Sequence, residues 1–159
     1  STEDNGLDCK KDKDKNRDLR RVNLENINLS NSNLQCINLR GASLQNADLS
    51  KTVLIGADLS YAILKKAHFT NANLSGANLT GADLTYADLT GAYIDIEKWK
   101  DILTEKQKNS ACNVTDNSHK CKKWYQCREK HKKICNFYYI RPKIKRKSWT
   151  SPFSAIRPI

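Results

Sequence analysis

Residues 72–90 read ANLSGANLTGADLTYADLT, with leucine at every fifth position and alanine two places before it. Five is neither the 3.6-residue period of an α-helix nor the two-residue period of a strand. The register runs outward from this stretch without a slip. Its central position is filled every fifth residue from Leu19 to Ile94, with Phe69 the aromatic occupant. Two places earlier stand Ala42, Ala47, Ala57, Ala62, Ala67, Ala72, Ala77, Ala82, Ala87 and Ala92. The residue before the leucine is usually Asn or Asp, and the one after it is often Ser or Thr. The next is often Gly or Asn, which tolerate turns.

A unit with a single large apolar group cannot bury that group locally, so such units must stack as solenoids do. If four units form the sides of a square, leucine and alanine point inward and the other three residues outward. Residues twenty apart then fall in columns, with rungs about 4.8 Å apart. The pattern resembles the pentapeptide-repeat family, whose motif is A-(D/N)-L-x-x. The resemblance covers residues 17–95, half the chain. It implies an all-β solenoid, a right-handed quadrilateral β-helix of about four coils, roughly 20 Å long.

The N-terminal units depart from the motif, with Val22, Ile27, Ser32 and Ile37, and later Thr52, where alanine is usual. Isoleucine is bulky for a slim lumen. Either the first coil is widened or these side chains plug the open end. The outward Asn and Asp residues are expected to satisfy turn backbone groups rather than to form a row of catalytic acids. His68, a lone surface histidine, is read as inert. Arg20 and Arg40 share one column with Arg21 adjacent, Lys65 and Lys66 lie on another side, and Tyr61, Tyr86 and Tyr93 point outward.

A solenoid needs caps, because its ends expose apolar cross-section and unpaired edges. After Ile94 the period breaks. In IDIEKWKDILTEKQKNS (94–110), Ile96, Trp99, Ile102 and Leu103 are helically spaced and Asp95 can N-cap. This predicts a capping helix over 96–109 with Trp99 as a plug. Residues 1–16 are charged and poor in apolar groups, and are expected to be mobile.

Charge divides the chain again. Residues 17–95 carry 7 Lys and Arg against 7 Asp and Glu, whereas 96–159 carry 17 against 5, so the net +11 belongs to the C-terminal third. That third holds a Cys-rich basic segment, 110–135, and an arm, 136–159, in which prolines oppose helix. Cys112, Cys121, Cys127 and Cys135 are disulfide candidates, and Cys36 can pair with Cys9. The alternative is zinc on Cys112, Cys121, Cys127 and His131, a spacing similar to CCCH fingers that bind single-stranded RNA. The stretches KNSA and REK depart from that family's pattern, and Cys135 is left over. Basic and aromatic residues interleave in both segments and are the partner-binding candidates. In the first they are Lys122, Lys123, Trp124 and Tyr125. In the arm they are Tyr138, Tyr139, Arg141, Lys143, Lys145, Arg146, Lys147 and Trp149.

No nucleophile motif, Gly-rich phosphate loop or H-E-x-x-H occurs, so no enzyme activity and no cofactor are expected. No apolar run reaches the roughly 20 residues of a membrane span. The chain has no methionine and begins STEDNG, which reads as a mature chain whose leader has been removed. With the cysteines, this points to an oxidising compartment. The family resemblance adds plastids and the thylakoid lumen as its expected location. Some relatives mimic DNA toward topoisomerases, but that role needs a negative rod and this one is neutral. The expected function is a non-catalytic scaffold or assembly subunit. It would bind a protein complex, membrane-associated assemblies included, through β-helix faces and the basic arm. The alternative is an RNA-binding protein of a ribonucleoprotein.

Overall fold

The computed structural model describes residues 9–10 and 17–115. Backbone pairing in the repeat is parallel and joins residues twenty apart, in four ladders. They run Asp18–Asn38–Asp58–Asn78, Asn23–Ser43–Ile63–Asp83, Asn28–Asp48–His68–Asp88 and Asn33–Val53–Asn73–Tyr93. A circuit therefore takes four five-residue units, as the stacked-square reading requires. In a typical rung the Leu39 N–H donates to the Asp58 carbonyl at 2.8 Å and the Asp58 N–H to the Ile37 carbonyl at 2.9 Å.

Each corner is a turn closed locally. The Ala42 N–H donates to the Leu39 carbonyl at 3.0 Å, and the intervening Gly41 has φ +67°. A positive φ at the third residue is the signature of a type II turn. Every corner from Arg21 to Gly91 adopts this left-handed conformation. That explains the frequency of Gly and Asn there, since other side chains crowd the backbone by ~1–2 kcal/mol.

The central leucines, Phe69 and the alanines form one continuous core. Full burial of each leucine contributes about 1.5–3 kcal/mol of transfer free energy. Asn and Asp before the leucine do the local work expected of them. Asn78 Oδ1 accepts from the Thr80 N–H at 3.0 Å and from its hydroxyl at 2.7 Å. Asp88 does the same with Thr90 at 2.9 and 2.7 Å.

At the N-terminal end, Val22 and Ile27 are half-buried and pack against the core, in the manner of a plug. Ile37 is fully buried, so the lumen accepts isoleucine. Arg17 takes the lumen-side position of the first unit, is buried, and donates from its guanidinium to the Gln35 carbonyl.

At the other end, β1 (Tyr93–Ile94) leads into two short helices, α1 (Ile96–Trp99) and α2 (Glu105–Ser110), where one helix over 96–109 was expected. Asp95 caps α1 as foreseen, accepting from the Lys98 N–H at 3.1 Å. The break follows from Thr104, whose hydroxyl accepts from the Gln107 N–H while Gln107 Oε1 accepts from the Thr104 N–H. This capping box restarts the helix at Glu105, with five residues between it and the end of α1. Trp99, Ile102 and Leu103 pack on the end of the core. The chain then rejoins the solenoid. β2 (Cys112–Asn113) pairs in parallel with β1, Tyr93 opposite Cys112. Its first residues thus add a rung instead of belonging wholly to a Cys-rich extension.

Cys9 and Cys36 form a disulfide with Cα atoms 5.2 Å apart, so part of the N-terminal segment expected to be mobile is tied to the rod. Cys112 is also disulfide-bonded. Among the described residues, no helix is long and apolar enough to cross a membrane.

Candidate functional site

The binding candidates from Lys122 to Trp149, the thiols Cys121, Cys127 and Cys135, and His131 lie outside the described residues. The surface texture of the rod is described, and it is uneven. The ladder through Val53, Asn73 and Tyr93 is the most covered. Val53 and Asn73 are buried, and the Tyr93 hydroxyl donates to the Val114 carbonyl at 2.6 Å. Tyr93, expected to project outward, is therefore roofed by the extra rung.

The Asn23–Ser43–Ile63–Asp83 ladder is the opposite case, and we call it the Ile63 face. Among the described residues, the exposed large hydrophobic side chains gather on it: Tyr61 at one corner, Ile63 on the ladder, and Tyr86 at the other corner one rung on. Their exposures are 54%, 41% and 81%. Side-chain alternation explains why Ile63 cannot turn in: it stands where the other rungs carry the polar residues Asn23, Ser43 and Asp83.

Tyr61 is held in place. The Arg40 guanidinium lies 4.6 Å from its ring centroid and donates to the Ser60 hydroxyl at 3.0 Å. On the next rung, Gly81 leaves the space the ring needs, since a Cβ there would stand 2.5 Å from a ring carbon. The tyrosine thus lies along its corner between a cation and a glycine. Lys65 and Lys66 continue the rung beyond Ile63, and both are exposed. Lys65 sits 3.7 Å from Asp83. Such an exposed pair contributes between nothing and about 1 kcal/mol. The Asp83 carboxyl is held below its ordinary pKa, first by the Thr85 hydroxyl and next by the Thr85 N–H, with Lys65 a smaller influence.

On the neighbouring ladder, Asp48, Ser50, Lys51, His68 and Thr70 line a shallow open depression of about 390 Å³. His68 stands there between Asp48 and Asp88. The Asp88 carboxyl is lowered chiefly by Thr90, with His68 contributing less. No group of three or more His, Cys, Asp or Glu suited to a metal occurs among the described residues.

The sequence reading found Tyr61 and Tyr86 but missed Ile63. The signal was available, because Ile63 breaks the Asn/Asp habit of its position. What hid it was that Val53 and Tyr93 break the habit too, and only the fold separates the covered ladder from the open one.

The family model described as pentapeptide repeats matches residues 18–56, 32–71 and 62–95, in 8 copies. A search of curated proteins gives no match. Among solved structures, the chain is 31% identical to a pentapeptide-repeat protein from Nostoc PCC 7120, covering 61% of this chain and 84% of that one, TM-score 0.41. It is 39% identical to HetL, a pentapeptide-repeat protein involved in heterocyst differentiation regulation in Nostoc sp. strain PCC 7120, over 47% of this chain, TM-score 0.29. That match spans 44% of HetL, less than half its length. A third relative, from the Arabidopsis thaliana thylakoid lumen, is 26% identical over 64% of this chain and 82% of its own, TM-score 0.26.

Proposed function

The chain belongs to the pentapeptide-repeat family, and on that premise we propose that it is a non-catalytic scaffold or assembly subunit. In this reading a right-handed, four-sided rod of about four coils presents its faces to a larger complex, and the basic C-terminal arm anchors it there. The observation that carries the reading is the Ile63 face, where Tyr61, Ile63 and Tyr86 are displayed together on a framework built from stacked rungs. Single exposed apolar groups are ordinary, but a gathered set marks an interaction surface. The Asp and Asn side chains of the ladders are occupied by their own turns.

The Cys9–Cys36 bridge supports an oxidising compartment. The disulfide at Cys112 weighs against the RNA-binding alternative, because Cys112 is one of the four zinc candidates and a zinc ligand must be a thiolate. The test is the native size of the full chain in extracts of its source. We expect it in an assembly well above its 18.1 kDa. Migration as a lone monomer would overturn the reading. Intact mass and zinc content of the same sample separate bridges from metal.

A further inference from the structure

We propose that the Ile63 face docks an acidic, apolar segment of a partner protein; this deepens the scaffold reading and rests on it. Three observations point the same way. The first is the layout of a single rung, where Tyr61 and Ile63 are followed by Lys65 and Lys66, all exposed. An apolar pair beside a cationic pair fits a segment that presents apolar and then acidic side chains on one edge, at every second residue. Arg40 adds a further cation beneath Tyr61.

The second observation is conformational. Corner residues take a φ near +60°, where Gly or Asn is the comfortable choice. Only Arg21, Cys36, Lys51, Tyr61, Lys66 and Tyr86 depart from Gly and Asn at the described corners. Cys36 is accounted for by its disulfide. Of the remaining five, Arg21, Tyr61, Lys66 and Tyr86 stand on the two corners that flank the Ile63 face. Strain concentrated where the fold does not need it marks a site kept for another purpose. Gly81 agrees: it clears the space that lets the Tyr61 ring lie along its corner.

The third observation selects the occupant. The whole chain carries a net +11, and residues 96–159 hold 17 Lys and Arg against 5 Asp and Glu. The face itself carries Arg21, Lys65 and Lys66 against Glu25 and Asp83, a small positive excess, and a second copy or this chain's own C-terminal third would approach it with like charge. An acidic partner gains from both the face and the long-range field.

The test uses the full chain with its disulfides intact and a short Glu–Leu peptide in which two leucines two positions apart are followed by two glutamates at the same spacing, with its Lys-for-Glu version, the Lys–Leu peptide, as the charge control. Affinity is compared between the parent protein and a Tyr61→Asn, Ile63→Asn double variant. Both substitutions install the residue type the repeat favours at these positions, so the variant should unfold at the same temperature as the parent or higher. The basic tail gives both proteins the same background. We expect the Glu–Leu peptide to bind the variant about tenfold more weakly or worse. Lys66→Asn should weaken binding less and flatten its salt dependence. Equal affinity for parent and variant would overturn the proposal, as would equal binding of the Lys–Leu peptide. Self-association of the parent that the variant loses would also overturn it, by making a second copy the occupant. If the native assembly retains the double variant, the scaffold reading stands and the face assignment falls. If the parent itself is a lone monomer, the scaffold reading falls.

Discussion

The repeat over residues 18–95 and the cap over 96–114 bury apolar surface in different ways. In the repeat, a residue's role depends on its place in the unit of five, and central side chains stack on those twenty residues away. In the cap, roles are individual. Gln107 donates from Nε2 to the Leu84 and Ala87 carbonyls at 2.8 and 3.1 Å while Oε1 accepts from the Thr104 N–H at 2.9 Å. One side chain thus closes the last circuit and restarts a helix. A stacked array spreads its stability over many similar contacts, whereas a cap concentrates it in a few. The Ile63 face belongs to the first kind of region, yet it is made of residues that ignore the rule of their position.

The largest expected effect comes from breaking the stack at its bulkiest member. Phe69 is fully buried, and Phe69→Ala should lower unfolding free energy by about 3–5 kcal/mol in denaturant titration. A cost under about 1 kcal/mol would mean that neighbouring rungs collapse into the gap.

A second comparison sets two glycines of one column against each other. Gly56 and Gly76 have φ +67° and +66°, but a Cβ at Gly56 would lie 2.6 Å from Cys9 Sγ, while at Gly76 it meets only a backbone nitrogen at 3.8 Å. Gly76→Ala should therefore cost ~1–2 kcal/mol from conformation alone. Gly56→Ala should cost a further ~1–3 kcal/mol from overpacking against the disulfide. In a Cys9→Ala, Cys36→Ala background the two costs should converge, which a double-mutant cycle would read directly.

For the cap, Gln107→Leu strands the Ala87 carbonyl and the Thr104 N–H, and leaves the Leu84 carbonyl only its turn bond from the Ala87 N–H. It should cost ~1–3 kcal/mol, with melting of α2 seen as faster amide exchange there and unchanged exchange in the central rungs. Uniform loss of protection over the whole chain would show that the cap and rod unfold as one unit and would erase the distinction between them.

The smallest effect concerns acid. Asp18, Asp83 and Asp88 have lowered carboxyl pKa values in the fold, the first through Arg20 and the others through Thr85 and Thr90. A lowered folded value stabilises the protein above the unfolded carboxylate pKa near 3.8, and that stability fades as pH falls through the folded value. Asp88→Asn keeps the hydrogen bonds that Asn78 makes to Thr80. It should leave the unfolding temperature at pH 7 nearly unchanged and flatten the acid limb below pH ~4. An equally steep acid limb in the variant would assign the sensitivity to other carboxylates.

Much of the rod was readable before any coordinates. Leu19 through Ile94 are the buried set, residues twenty apart do pair, and the Asn and Asp side chains do serve their own turns. The period carries that information because one rule is repeated until chance cannot mimic it. The cap was readable in part. Asp95 and the helical spacing were visible, but the second helix start hung on Thr104 and Gln107 meeting across a single turn. The return of Cys112–Asn113 to the ladder had no periodic signal at all.

The sequence alone determined that five-residue units stack four to a circuit, and that their leucines and alanines turn inward. Both follow from local period and composition. Tertiary structure decided which exceptions matter. Val53, Ile63 and Tyr93 break the same positional habit, but Val53 is buried, Tyr93 lies under the added rung and Ile63 faces water. It also decided that Tyr61 lies between Arg40 and Gly81, residues 21 and 20 positions away. The physical reason is common to both. Exposure and side-chain neighbours on a solenoid depend on what the adjacent coils and the chain ends place over each face, and a five-residue unit does not contain that information.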